Sequence, residues 1–342
     1  MVQEFDPFNF TAVQPGTADE FHALTGPYQR QLLVHCYRIL GSLDDAEDAL
    51  QETLLRAWRR LDTLKEPGSL RAWLYKIATN TSLDMLSSRK ARGLAPAFYA
   101  PADPADALLG PVTEDIWLQP LPDETLVGNQ PGPEAQVEAH ESISLAFLAA
   151  LQQLPGKQRA SLILRDVLDW NAQETAEMLG LSLAAANSAL QRARATLKKN
   201  QEAERSAFRQ PAHDPQASRL LTRYMQAWQA ADAPGLAALL REDAILSMPP
   251  LPAWYLGRAA IRAFFEKHLF VEGAAGIFKV LATRANASPA LAVYQQAGGA
   301  GQPFRPASLQ VLNLQGDQIQ RVDCFLTSDE KLFTRFGLPV SL

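Results

Sequence analysis

The chain has 342 residues, of which 47% are hydrophobic and 20% are charged, and its formal net charge is −5. That length predicts two or three domains, and the composition excludes a wholly disordered protein. The sequence contains no apolar run of about 20 residues, the length that a membrane span needs. The two cysteines, Cys36 and Cys324, are far apart in the sequence, which excludes a disulfide framework and favours a reducing cytoplasm.

Charge divides the chain into units. Residues 93–138 hold eight acidic residues, eight prolines and four glycines but no lysine or arginine. This composition predicts an irregular acidic linker, with Ile116-Trp117-Leu118 as an anchoring point. The expected organisation is an N-terminal tail (1–16), a helical domain (17–92), the linker (93–138), a smaller helical domain (139–200), a second linker (201–215) and an α+β domain (216–342).

The first helical domain contains an amphipathic helix that begins near Asp44. Its apolar positions, which include Leu54 and Trp58, recur in steps of three and four and predict a buried stripe. Asp48, Gln51 and Glu52 fall on the opposite side, where they form a polar patch suited to basic side chains of a partner. The alternative is an ordinary solvated face.

The next helix is predicted from about Leu70 to Lys90. It combines aromatic, amide and cationic groups, a mixture that suits single-stranded nucleic acid because bases stack on rings and cations hold phosphates. The alternative for Trp73 and Ile77 is a core position. The exposed loop before the helix, at 62–69, could clasp an unstacked base. The nucleic-acid candidates on this helix are Trp73, Lys76, Asn80 and Arg89.

Residues 171–199 have the pattern of a helix-turn-helix. A helix over 172–179 is followed by a turn at Gly180, an N-cap at Ser182 and a second helix whose predicted core stripe begins at Leu183. Amides and guanidiniums on its other face suit base edges and phosphates in a major groove. A helical hairpin that does not bind DNA is the alternative. The candidates are Asn187, Ser188, Gln191, Arg192, Arg194 and Lys198.

The C-terminal domain begins with a helical stripe that includes Tyr224 and Trp228, and it continues with a helix through Phe264. Strands are predicted at 245–248, 277–284, 290–297, 307–314 and 319–327. Alternation in the last strand places Ile319, Arg321, Asp323 and Phe325 on one face. Asp323 is a candidate pocket carboxylate, and the alternative is an ion pair with Arg321. His268 is interpreted as a structural or solvated histidine.

Several motifs together resemble bacterial extracytoplasmic-function (ECF) sigma factors. The run from Asp45 to Trp58, DAEDALQETLLRAW, resembles region 2.2, and the run from Leu70 to Asp84, LRAWLYKIATNTSLD, is similar to the promoter-melting segment that follows it. The sequences around Gln158-Arg159, at 174–182 and at 190–194 resemble region 4. The order of elements over 216–335 resembles SnoaL-like domains, which are cone-shaped α+β folds around a pocket.

The resemblance implies a multidomain fold and a function in transcription initiation. Its fold would consist of a region 2 helical bundle, a region 4 helix-turn-helix and a C-terminal SnoaL-like cone. Asp48, Gln51 and Glu52 would dock on core RNA polymerase, Asn80 and its neighbours would meet the −10 strand, and the Asn187–Arg194 face would meet the −35 element of promoter DNA. The linker would thread toward the active-site and RNA-exit channel of the polymerase.

The resemblance also implies a non-enzymatic, cytoplasmic subunit that needs no cofactor or metal. The C-terminal domain would modulate its activity, and Tyr224, Trp228, Phe264 and Asp323 are the candidates for a small-ligand pocket. One departure is that Asn187 and Ala189 are neutral where family members often carry cations, which weakens phosphate contacts. The alternatives are a SnoaL-like enzyme tethered to a DNA-binding module and a one-component repressor.

Overall fold

The computed structural model describes residues 17–64, 66–88, 92–114, 116–126, 142–201, 215–296, 301–327 and 330–342. The chain divides into two compact units, one made of Met1–Arg89 with Leu154–Ala195 and the other of Lys90–Gln153 with Thr196–Leu342. Arg89, one of the candidate nucleic-acid residues, lies outside the described residues. None of the described helices combines the length and apolar character needed to cross a membrane.

The secondary structure of the first unit, in the residues that the structure describes, is helical. Its N-terminal part contains α1 (Ala18–Leu40), α2 (Leu43–Arg59) and α3 (Leu70–Ser87). Helix α1 ends at Gly41, whose φ of 72° is a left-handed conformation that glycine adopts without strain. The side chain of Ser42 then caps α2 by accepting a hydrogen bond from the backbone N–H of Asp45. The three helices enclose a core that contains Leu32, Ile39, Ala46, Ala49, Leu74 and Ala78.

The remainder of the first unit contains the helix-turn-helix. Helix α5 (Gly156–Leu162) continues into a π-helical turn at Ile163–Val167, and α6 (Ala172–Leu179) and α7 (Leu183–Gln201) follow. A capping box between Asn171 and Glu174 starts α6, and Gly180, with φ of 60°, ends it. The helix that precedes α5 in the chain, α4 (Leu145–Gln152), belongs to the second unit.

The second unit is built on a six-stranded sheet. Its helices are α4, α8 (Pro215–Ala230), α9 (Ala233–Ala237), α10 (Arg258–His268) and α11 (Glu330–Arg335). The strands are β1 (Leu240–Ser247), β2 (Trp254–Leu256), β3 (Phe278–Ala285), β4 (Ser288–Gln296), β5 (Phe304–Gln315) and β6 (Gln318–Leu326). Their order is β2-β1-β6-β5-β4-β3, and the β1–β6 pair is parallel while the others are antiparallel.

The two faces of the sheet have different neighbours. Leu246, Val322 and Cys324 point into the main hydrophobic core, together with side chains of α8 and α10. Because neighbouring residues of a strand point to opposite faces, Ile245 and Asp323 lie on the other face. There Ile245 packs against a smaller cluster that includes linker residues Ile116 and Trp117.

One face assignment made from alternation alone is wrong. Ile319 belongs to the main core, whereas Arg321 and Asp323 lie on the opposite face. The cause is an irregularity in the β5–β6 pairing, where Asn313 is opposite Arg321 and Leu314 is opposite Ile319. Gln320 is therefore an extra residue, and it reverses the face of every residue before it. Strand β2 was not anticipated because its three residues are too few to show an alternating pattern.

Candidate protein and nucleic-acid interfaces

The polar patch on α2 lies beside two exposed hydrophobic side chains. Asp48 and Gln51 are exposed, and Glu52 is half-buried. One carboxylate oxygen of Glu52 accepts a 2.7 Å hydrogen bond from Arg56. Leu55 and Trp58 are 52% and 41% exposed. Steps of three and four place all of these residues along one side of the helix.

Trp58 was predicted to lie in the buried stripe of α2, but it is exposed. Its ring lies nearly perpendicular to that of Phe21, with 5.1 Å between ring centroids, and 41% of the residue is exposed. Leu55 was missed, although it stands seven residues after Asp48 and therefore on the same helical face. A charged rim around exposed Leu and Trp side chains is typical of a protein-binding surface. The α2 face, meaning Asp48, Gln51, Glu52, Leu55 and Trp58, is therefore a candidate docking surface.

A pocket of about 700 Å³ lies between the end of α2 and α3. Three of the predicted nucleic-acid residues, Trp73, Lys76 and Asn80, line it together. Trp73 and Ile77 are half-buried, so neither is the core residue that the alternative interpretation proposed. The volume lies within the range of small-molecule pockets and accommodates an unstacked base. The lining residues are Arg56, Arg60, Thr63, Trp73, Lys76, Ile77, Asn80 and Asp84.

The charges of this pocket favour a nucleotide. Arg56, Arg60 and Lys76 supply three cations, against the single carboxylate of Asp84. Asp84 accepts a 2.9 Å hydrogen bond from Arg56, and the pKa of Arg56 is raised by that bond and by its bond to Glu52. A tryptophan ring beside several cations can stack a base while its phosphates are held, which is the chemistry of single-strand binding.

In the same unit, the helix-turn-helix packs against α3. Asn80 donates to the backbone oxygen of Met178, at 3.2 Å, at the end of α6. The guanidinium of Arg71 lies 4.7 Å from the ring centroid of Trp170, and Trp170 also contacts Tyr75. The buried guanidinium of Arg159 donates to the carbonyl oxygen of Ile39, and burial lowers the pKa of Arg159 to about 10. A candidate DNA contact, Asn80, is therefore already engaged by another part of the chain.

Helix α7 presents most of the predicted DNA-binding residues to solvent. Asn187, Gln191, Arg192, Arg194 and Lys198 are exposed, and Ser188 is half-buried. Arg194 forms a bidentate ion pair with Asp166 from the π-helical turn, with N–O distances of 2.9 and 2.6 Å. Leu183, which the pattern placed in the core stripe, is instead 45% exposed at the N-terminal end of the helix.

The four candidate pocket residues of the C-terminal domain are not brought together. Tyr224, Trp228 and Phe264 lie in the main core, whose interior is closely packed: the Trp228 ring meets the rings of Phe265, Phe270 and Phe278 nearly perpendicularly. The hydroxyl of Tyr224 donates to Gln310 at 2.9 Å, and burial raises the pKa of Tyr224 well above its ordinary value.

Asp323 lies on the opposite face of the sheet. Its carboxylate accepts hydrogen bonds from Ser247 at 2.6 Å and from Arg321 at 2.9 Å, and the ion pair is largely buried. The ion pair with Arg321 is the alternative that the sequence left open. Because Asp323 lies across the sheet from Tyr224, Trp228 and Phe264, it does not face the core that those three residues share.

The linker is held by the sheet of the C-terminal domain. Asn286 is fully buried at the β3–β4 turn, and its side chain accepts from the N–H of Leu121 at 2.8 Å and donates to the carbonyl of Ile143 at 2.7 Å. Asp123 accepts from the N–H of Ala287 at 2.7 Å and from Arg284 at 2.8 Å. We call Arg284, Asn286, Ala287 and Asp123 the linker clasp; no sequence signal pointed to it.

A second set of contacts holds the linker further along the sheet. Ile116 and Trp117 form a buried cluster with Ala95 and Trp254, so the predicted anchoring segment lies against β2. The indole N–H of Trp254 donates to the carbonyl of Tyr99 at 2.8 Å. The described part of the linker is irregular in backbone yet fixed at several points.

Comparisons with known proteins match this architecture. The family model for Sigma-70 region 2 matches residues 24–92, that for Sigma-70, region 4, matches 144–197, and that for the SnoaL-like domain matches 221–322. The chain is 43% identical over 324 residues to the ECF RNA polymerase sigma factor SigG of Mycobacterium tuberculosis, which covers 94% of this chain and 85% of the relative. It is 28% identical over 187 residues to SigW of Bacillus subtilis, with coverage of 55% and 91%.

Among solved structures, the crystal structure of the Mycobacterium tuberculosis ECF sigma factor SigJ superposes with a TM-score of 0.58. The sequence identity is 22%, and the match covers 95% of this chain and 100% of SigJ, so the two share a fold. The helical regions, the sheet domain and the identity to SigG lead to one conclusion. The chain belongs to the ECF RNA polymerase sigma factors, subunits that direct promoter recognition by RNA polymerase and are not enzymes.

Proposed function

We propose that this sigma factor contacts core RNA polymerase through the α2 face, receives an unstacked −10 base in the α2–α3 pocket and contacts the −35 element through α7. It works in the cytoplasm with the polymerase. The α2 face supplies a charged rim around two exposed hydrophobic residues, and the pocket supplies Trp73 beside three cations. These are the groups expected for a protein partner and for single-stranded DNA.

The first unit is in a closed conformation, in which α3 and α6 contact each other. The −10 and −35 elements are separated by about 25 base pairs, or roughly 85 Å of duplex at about 3.4 Å per base pair. Asn80 and Met178 are in hydrogen-bond contact, so α3 and α6 cannot keep this contact while each region serves its own element. Promoter recognition therefore requires the α3–α6 contact to open.

The C-terminal domain restrains initiation by holding the linker. The observation that carries this proposal is the linker clasp, in which buried Asn286 binds backbone groups on both Leu121 and Ile143. A linker that enters the polymerase must leave the clasp first. The apparent affinity for core polymerase is therefore the intrinsic affinity multiplied by the fraction of chains in which the clasp is open.

A reversible disulfide across the clasp tests this restraint. Pro122 and Ala285 pair as an isolated antiparallel bridge, where Cα atoms lie about 4.5–5.5 Å apart, within the range a disulfide spans. The variant with Pro122→Cys and Ala285→Cys should form holoenzyme poorly when oxidised and recover in reductant. Both native cysteines are buried, and the two single-cysteine variants are the matched controls. Equal transcription by the oxidised and reduced double variant would contradict the restraint.

A further inference from the structure

The exposed side of α7 carries an ordered set of side chains. Consecutive members of the set are four or three residues apart in the sequence. All of them lie within about 80° of one another around the helix axis. Counted from the N-terminus, the set is one apolar residue, two amides and two cations. We call it the recognition strip, and it consists of Leu183, Asn187, Gln191, Arg194 and Lys198.

Leu183 is the unexpected member. A leucine at the start of an amphipathic helix is expected in the core, but here its side chain is 45% exposed while Ala186 and Leu190 are buried. Ser182 caps the helix by accepting from the N–H of Ala185 at 3.2 Å, so Leu183 belongs to the ordered first turn. In helix-turn-helix proteins the N-terminal residues of the second helix are the ones that contact base edges.

The chemistry of the strip selects particular bases. An apolar side chain in the major groove contacts the C5-methyl group of thymine, and Asn or Gln side chains form paired hydrogen bonds with adenine. Leu183 to Gln191 spans about 12 Å of helix, the length of about four base pairs. Paired contacts with guanine need Arg or Lys, which the strip carries only from Arg194 onward, where Asp166 already binds the guanidinium.

We infer that Leu183 is a specificity-determining residue that contacts a thymine methyl group in the −35 element, with Asn187 and Gln191 reading adenines beside it. The segment under the first half of α7 is therefore a run of A·T pairs. This inference rests on the proposed −35 role of α7. Beyond that role, it identifies the bases that α7 reads. It assigns the thymine to Leu183, which the helical pattern placed in the core.

Replacement of thymine by deoxyuridine tests the contact, because it removes the methyl group and leaves base pairing unchanged. Holoenzyme with the cognate core polymerase selects a −35 sequence from a randomised promoter library, and the selected duplex is remade with deoxyuridine at one thymine at a time. One position should weaken wild-type binding about fourfold, as expected for one buried methyl group. The Leu183→Ala variant should bind the thymine and deoxyuridine duplexes equally.

The control variant is Leu256→Ala, since Leu256 is a leucine of similar exposure, at 50%, in β2 of the C-terminal domain. It should keep the wild-type dependence on the methyl group. The inference is overturned if no thymine is sensitive in the wild type, if Leu183→Ala keeps the sensitivity, or if Leu256→Ala abolishes it. Selection of a run of G·C pairs would overturn it as well.

Arg192→Gln and Lys198→Gln separate this inference from the proposed role of α7. If α7 lies on the −35 duplex, both should weaken binding to every duplex and reduce its salt dependence, because they remove phosphate contacts. Loss of binding in these variants without any Leu183 coupling overturns only the methyl contact. Unchanged binding in both variants overturns the −35 role of α7 and the inference with it.

Discussion

Releasing the linker clasp should increase affinity for core polymerase, and Asn286→Gly is the sharpest way to do so. Asn286 has φ of 52°, a left-handed conformation that glycine retains without strain, so the turn itself is preserved. The substitution removes the amide group that binds the N–H of Leu121 and the carbonyl of Ile143. The backbone bond from the N–H of Asn286 to the carbonyl of Leu121 is unaffected.

The magnitude follows from the burial of these groups. Each buried backbone group that loses its partner costs about 1–3 kcal/mol, so two of them destabilise the closed clasp by about 2–6 kcal/mol. A value near 3 kcal/mol shifts the opening equilibrium by roughly 100-fold. The apparent affinity for core polymerase should rise by up to that factor, until the clasp is mostly open and the gain saturates.

Two measurements on the full chain check this prediction. Titration of labelled protein with core polymerase gives the affinity, and amide hydrogen exchange at residues 118–121 reports whether the linker has been released. Asp243→Asn is the matched control, because Asp243 forms an exposed ion pair with Arg241 in the same domain. Faster exchange with unchanged affinity would refute the coupling of the clasp to polymerase binding, and unchanged exchange would refute the energetic argument.

Three further predictions concern the first unit. Trp58→Ala should weaken core binding by about 30-fold, as for an interface hot spot; a change below twofold in the same titration would exclude Trp58 from the interface. Trp73→Ala should leave core binding intact but reduce promoter opening about tenfold, measured by permanganate reactivity of −10 thymines; normal opening would exclude base stacking on Trp73. Burial lowers the pKa of His35 to about 3, so below pH 6.5 the unfolded chain binds a proton that the folded chain does not, and stability falls as pH decreases. His35 should account for about 1.4 kcal/mol of loss between pH 7.5 and 5.5 in urea unfolding, and an equal loss in His35→Gln would contradict this.

Local pattern was sufficient for the helices and for most of the strands. The spacing of apolar residues located α2, α3, α6 and α7. Five of the six strands were predicted, four of them to within a few residues and β1 only over its C-terminal part. The predicted cap at Ser182 and the predicted turn at Gly180 act within a few positions of the chain. Such signals are legible without the fold because the interactions that produce them are local.

The side of an element that is buried was predicted less well. Trp58 and Leu183 fit the periodicity of their helices but are 41% and 45% exposed, because they lie at the edge of the buried stripe. Asp323 and Ile319 lie on opposite faces because one extra residue, Gln320, interrupts the β5–β6 pairing. A single irregularity is invisible to a pattern that assumes strict alternation.

What the sequence determined by itself was therefore the set of elements, their order and the chemical character of α2, α3 and α7. Tertiary structure alone decided what the acidic linker does in the unbound chain. Its contacts with Asn286 and Trp254 join residues more than 150 positions apart, through backbone groups of Leu121 and Tyr99 that any residue would offer. Because backbone donors and acceptors carry no sequence signature, only the folded sheet shows where they are bound.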